Sequence, residues 1–257
     1  MSDRDQLLVV IDPVARRQDG ESVRIAKDVL CGGSRAKVCL PESPEEFARA
    51  LARRGTRRPV IVGDDRALLR AVALLHRDRW LGDGALSLVP VGSGVGLAHS
   101  LGVPPGPVAA ARAALDGGVR RLDLLVDESD GVVVGDLMIP AGPRRAGSRG
   151  WWRALLGRRA RSPRGVAGPG RRLRVEADGA LLCDLHQEVD AVTIRTAHGR
   201  AEITVHHPGP DRPVTVKALA VTVSGADFRY RADAVVTGPV RTRTWSVRAG
   251  AWGLTLP

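Results

Sequence analysis

VPVGSGVGLAHSLGVP, residues 89–104, is the stretch that decides the fold. An apolar strand ending at Val91 runs into Gly92, Ser93 and Gly94, and a short helix follows before the turn at Pro104. Glycines at the C-terminal end of a strand let backbone N–H groups come close to an anion, and the dipole of the following helix favours negative charge there. A second stretch, VIVGDDRALLRAV (residues 60–72), has the same order of strand, glycine and helix, with the glycine at Gly63. Ligands of open α/β sheets bind at such strand ends. Either loop alone is weak evidence, because tight strand-to-helix turns use glycine for geometry as well.

Around these loops, residues 6–127 alternate between strand-like and helix-like segments. QLLVVID, AKVCLP, RPVIVGD, ALSLVPVG and VRRLDLLVDES read as strands; ESVRIAKDVL, SPEEFARALARRG, RALLRAVALLHRDRW and PGPVAAARAALDGG read as helices. SPEEF carries a Ser cap, a proline at the first helical position and two glutamates in the first turn. This alternation predicts a parallel sheet flanked by helices. Beyond about residue 130 the pattern changes. GVVVGDLMI reads as one strand, and residues 140–175 form an Arg-, Pro- and Gly-rich segment. Short Val- and Thr-rich runs then alternate with turn signals such as ADG, AHG, PGPDRP and SGAD, as in an antiparallel β-sandwich-type lobe. The expected domains are an α/β nucleotide-binding lobe, residues 1–130, and a β-rich lobe, residues 131–257.

Together and in this order, the loops and the β tail resemble the diacylglycerol kinase catalytic-domain family of lipid kinases, which shares its nucleotide lobe with the NAD kinases and sphingosine kinases. Asp12-Pro13 stands where that family has Asn-Pro after a strand, and Gly63-Asp64-Asp65-Arg66-Ala67 where it has GGDGT. Its P-L-G-T-G-N-D-F-A-R-x-L-G-I-P signature is followed at Pro90, Gly92, Ser93, Gly94, Ala98, Leu101, Gly102 and Pro104, and Asp123 matches a later acid. Near the end, Asp233 matches the Asp of a DGE triplet whose other members are Ala234 and Val235 here. The resemblance implies ATP and Mg²⁺ as cofactors, a lipid alcohol as acceptor and transfer of the γ-phosphoryl group. Asp12, Gly63, Asp64, Asp65, Arg66, Gly92, Ser93 and Gly94 would surround the nucleotide, with Asp65 as its acid and Asp233 as the general base. No metal ligand is assigned.

The departures from the motifs matter as much. Asp64 and Arg66 replace glycines, Ala67 replaces a hydroxyl, and Val95-Gly96 replaces Asn-Asp. Phosphoryl transfer is mostly positioning and charge stabilisation, and each lost stabilising donor costs roughly 10²- to 10³-fold in rate. The expectation is therefore a diacylglycerol kinase-like protein with weakened or lost activity. The alternative is a non-catalytic relative that binds lipid or nucleotide as a sensor or scaffold.

The net charge of +11 calls for an anionic partner or a compositional cause. Between Asp136 and Glu176 there is no acidic residue, whereas arginines are dense, among them Arg149, Arg153, Arg158 and Arg159 flanking or following Trp151 and Trp152. Arginines with interfacial tryptophans suit an anionic membrane surface. Nucleic acid is the weaker alternative, since no RRM, OB or zinc-finger signature is present. Without an apolar run of about 18 residues or a basic-then-apolar N-terminus, the sequence reads as cytoplasmic and peripheral to the membrane at most; a homodimer stays open. Cys31, Cys39 and Cys183, far apart and without CxxC spacing, read as small buried hydrophobes.

Overall fold

The computed structural model describes residues 6–82, 84–142, 171–209 and 212–257. The chain forms two compact units, residues 1–124 with 249–257, and residues 125–248.

The first unit is built from β1 (Gln6–Ile11), α1 (Pro13–Gln18), α2 (Gly20–Gly33), β2 (Arg35–Cys39), α3 (Pro44–Ala52), β3 (Arg58–Gly63), α4 (Asp65–Arg77), β4 (Ala85–Pro90), α5 (Gly96–Ser100), α6 (Pro107–Asp116) and the first part of β5 (Gly118–Asp127). β2, β1, β3 and β4 pair in that order, all parallel. The residues of β1, β3 and β4 are nearly all apolar, as strands covered on both faces require: Val9, Val10, Val60, Ile61, Val62 and Leu86 are fully buried, whereas the edge strand β2 carries Arg35 and Lys37 and has no buried residue. The first four helices start where the sequence supplies side-chain caps. The Ser43 hydroxyl accepts from the Glu46 N–H at the head of α3 (3.2 Å).

The nine closing residues differ from the expected boundary. They belong to the first unit, where the end of β15 (Val235–Leu256) pairs parallel to β4 with Gly253 opposite Ala85. The cause is apolar: Trp252 and Leu254 are completely buried and Leu256 nearly so. The chain thus passes between units twice, within β5 and within β15.

The second unit is antiparallel. Its strands are β6 (Val132–Val133), β7 (Asp136–Ile139), β8 (Arg171–Ala177), β9 (Ala180–Cys183), β10 (Glu188–Val189), β11 (Ala191–Ala197), β12 (Arg200–His206), β13 (Val214–Ala218), β14 (Ala220–Ala232) and the first part of β15. β13, β12, β11 and β7 form a ladder that continues onto the end of β14, while the start of β14 pairs with β8. Register shifts between Ser224 and Tyr230 let one strand serve both partners. Trp245 lies at 0% exposure among Leu137, Ile194, Val223 and Tyr230, with the Tyr230 ring edge-on to it at 5.2 Å. GVVVGDLMI is not one strand: it breaks at Val134-Gly135 into β6 and β7. Of the three cysteines only Cys183 is buried; Cys31 is exposed on α2 and Cys39 is intermediate, so the expectation of three buried thiols is corrected.

Candidate functional site

The C-terminal ends of β1, β3 and β4 bring Asp12, Gly63 and the Gly92–Gly94 loop together in the first unit. The loops are joined by backbone hydrogen bonds, Val91 N–H to Gly63 C=O (3.0 Å) and Asp65 N–H to Gly94 C=O (2.8 Å). The glycines have steric reasons. A Cβ on Gly63 would stand 2.7 Å from the Ala67 Cβ and 3.0 Å from that of Asp12, and Gly92 has φ +108°, which L side chains rarely adopt. This is the cradle outlined by the two glycine loops.

The amides at the helix starts around it, however, are taken by the chain's own carboxylates. Asp64 is the N-cap of α4, and its Oδ1 accepts from the Arg66 and Ala67 N–H groups, both at 3.0 Å. Asp65 is 1% exposed; its Oδ2 accepts from Leu97 N–H (2.8 Å) and its Oδ1 from Ala98 N–H (2.9 Å) at the head of α5. Asp12 does the same for α1, with Oδ1 accepting from Val14 N–H (2.8 Å). Its Oδ2 receives the Arg70 guanidinium at 3.1 Å, and Arg70 lies over the Phe47 ring. The three helix N-termini at these strand ends therefore each carry an aspartate where a bound anion would sit.

The glycine loop faces Asp64. The Asp64 Oδ2 is 3.7 Å from where a Gly94 Cβ would be, and the Gln18 Oε1 is 3.0 Å from that of Gly92. Arg66 is exposed, as are Ser93 and Gly94. Arg70 and Gln18 were not singled out in the sequence; Arg70 is 58 residues from Asp12, so no local pattern marks the pair.

Asp233 belongs to the second unit. It occupies the first position of the two-residue turn between β14 and β15, with φ +50°. Its Oδ2 accepts from Val134 N–H (2.8 Å) and its Oδ1 from Gly135 (2.6 Å) and Asp136 N–H (3.1 Å), while its own N–H donates to Asp136 C=O (2.8 Å). This clamp breaks the expected single strand into β6 and β7. Arg231, 7% exposed, donates to the Asp233 carbonyl (3.2 Å) and stands 3.6 Å from the Asp136 carboxylate. Burial raises the Asp233 pKa to about 6, against the three amide N–H groups that favour the carboxylate. Asp123, matched to the family's acid by the resemblance, accepts from Gly250 N–H (2.9 Å) in the first unit. Arg149, Trp151, Trp152, Arg153, Arg158 and Arg159 lie outside the described residues.

Among the described residues no group of three or more His, Cys, Asp and Glu side chains is placed to hold a metal ion. No described helix is long and apolar enough to cross a membrane.

No family model and no curated protein matches the chain. Solved structures do. One, described as "a putative diacylglycerol kinase from Bacillus anthracis str. Sterne", superposes with a TM-score of 0.78 at 11% identity, covering 100% of this chain and 99% of that one. Another, a diacylglycerol kinase structure from the same organism, gives a TM-score of 0.77 at 13% identity, covering 100% and 99%. At that identity the likeness establishes the fold along the whole chain.

Proposed function

We propose that this chain is a diacylglycerol kinase-like protein that has lost ATP-dependent phosphoryl transfer and acts as a non-catalytic lipid-binding relative. The shared fold supports the kinase-type ancestry and a lipid ligand. The observation that carries the loss of transfer is the Asp64 carboxylate, which caps α4 with the amides a phosphate would need and faces the Gly92–Gly94 loop. A phosphate about 4 Å from that carboxylate meets a repulsion of ~4 kcal/mol at an effective dielectric near 20, which is roughly a thousandfold in affinity. The cradle therefore does not fit Mg²⁺–ATP, and no catalytic step is assigned to it. Asp233, with both oxygens held by amides at 2% exposure, serves the β6–β7 turn and offers no open oxygen to an acceptor hydroxyl.

The test is calorimetry with Mg²⁺–ATP together with a phosphorylation assay on diacylglycerol. The unmodified chain should show neither saturable binding at millimolar ATP nor turnover. Asp64→Gly removes the carboxylate while costing only a few tenths of a kcal/mol at an N-cap. Combined with Arg66→Gly and Ala67→Thr, it should raise ATP affinity by roughly two to three orders of magnitude. Turnover by the unmodified chain that disappears in Asp233→Ala would refute the proposal.

A further inference from the structure

The ladder of the second unit ends on an open strand. Among the described residues β13 pairs with β12 alone, without a bulge from Val214 to Ala218, and no strand lies along its other edge. The outward N–H and C=O groups of such an edge are a template for one more strand. β13 contains no proline, the residue that would withdraw a donor from a ladder.

The side chains define the strand that fits. On the outer face the register sets Asp136 of β7, Arg195 of β11, Glu202 of β12 and Lys217 of β13 in one row across four strands. Charge alternates along that row, and opposite charges are the stabilising cross-strand neighbours. Arg195 donates to the same Glu202 oxygen from Nε (3.0 Å) and from Nη2. Lys217, at the end of the row, is exposed and forms no ion pair among the described residues. The next outer row is Thr193, Thr204 and Thr215, with the last two hydroxyls 3.1 Å apart. On the inner face Ile203 and Val205 of β12 are fully buried, whereas Val216 and Val214, their neighbours on β13, are half-buried and 39% exposed. The core therefore stops one strand short of being covered.

A lysine on an edge strand is also a common guard against pairing. That role accounts for the charge but not for the uncovered Val214 or for the regular, bulge-free register. A second copy fits poorly. Two β13 strands paired antiparallel bring Lys217 opposite Thr215 or opposite Lys217 itself, and neither supplies the missing negative charge.

We infer that the free edge of β13 docks an extended acidic segment of a partner protein, added antiparallel like the other strands of this unit. A carboxylate of the segment stands opposite Lys217, and its apolar side chains cover Val214 and Val216. Read from the residue opposite Ala218 to the one opposite Val214, the fitting core is Val-Glu-Val-Thr-Val. The register and charges of the second unit carry this inference, and the loss of phosphoryl transfer does not enter it.

The experiment is fluorescence anisotropy of labelled Gly-Ser-Val-Glu-Val-Thr-Val-Ser-Gly titrated with the full chain. Binding should saturate at sub-millimolar chain concentration. The same peptide with Lys in place of Glu should bind about fivefold more weakly or worse, because like charges then face each other. Lys217→Glu should reverse the preference and make the lysine peptide the tighter ligand, a gain that misfolding does not produce. Strand addition has a second signature, which adsorption by charge lacks. Alternate N–H groups of an added strand face its neighbour, so one peptide N-methylated at Glu and Thr and another N-methylated at the three valines should part ways. One should lose about tenfold or more in affinity, and the other should stay within about threefold. No saturable binding by the unmodified chain, an unchanged preference in Lys217→Glu, or equal losses in the two methylated peptides would overturn the docking site. So would sedimentation showing a dimer of the chain that excludes the peptide, which would give the edge to a second copy.

Discussion

Replacing Asp65 by alanine is expected to destabilise the first unit by about 3–4 kcal/mol, because each of the two buried N–H groups it serves loses its partner at ~1–3 kcal/mol. The carboxylate reaches across from the first residue of α4 to the Leu97 and Ala98 amides of α5, while its own N–H holds the Gly94 carbonyl. It therefore fixes the glycine loop between β4 and α5 from three sides. α5 has only five residues and no side-chain cap of its own, so nothing local would replace the lost partner. The cost should appear in chemical denaturation, and locally as faster exchange of the Leu97 and Ala98 amides by roughly 10²- to 10³-fold. Asp65→Asn should recover only part of the loss, since one side of an amide is a donor and would face an N–H. A residue kept for binding nucleotide behaves otherwise, because removing a functional carboxylate from a closed site leaves stability unchanged or raises it. A loss below about 1 kcal/mol in Asp65→Ala would show that the loop is held by other contacts.

That dual character of Asp65 marks how far the sequence can be read. The parallel lobe was legible because β1, β3 and β4 are short apolar runs closed by Gly or Asp, and α1 to α4 each begin with a side-chain cap. The turns of the second unit were legible for the same local reason. Asp178-Gly179 and His198-Gly199, read from ADG and AHG, all take positive φ between +48° and +81°. Asp64 was visible as a departure from a glycine, but nothing local says whether its carboxylate points away from the loop or back onto the α4 amides. Its position in the cradle depends on β3 and β4 being neighbours. The break in GVVVGDLMI was invisible, because the group that forces it is Asp233, nearly a hundred residues on. The closing AWGLTLP reads locally like one more strand of the β lobe. Only the register of Gly253 against Ala85 assigns it to the parallel sheet.

For Asp233 the expected signature is in the pH dependence of stability. Its folded-state pKa is raised from 3.8 to about 6 because burial opposes the charge. A raised carboxyl pKa means that the folded state holds the proton more tightly than the unfolded chain. The resulting stabilisation is fully present below about pH 4 and is lost as pH rises through about 6, by up to ~3 kcal/mol. At pH 7 the wild-type clamp therefore carries a buried carboxylate at a cost, in return for three amide hydrogen bonds and the β6–β7 turn. Asp233→Ala leaves those three amides unpaired and puts a Cβ-bearing residue without a polar side chain at φ +50°, so it should destabilise at every pH. The loss should be about 1 kcal/mol larger at pH 5 than at pH 7, where the wild type has already given up most of its protonation-linked stability. Asp136 raises this pKa further by its charge, so Asp136→Asn should shift the midpoint of the effect downward. Urea denaturation of wild type and both variants between pH 4 and pH 8 measures all of this. A wild type whose stability rises steadily over that range, with Asp233→Ala parallel to it, would mean that the three amides outweigh burial and hold Asp233 as a low-pKa carboxylate.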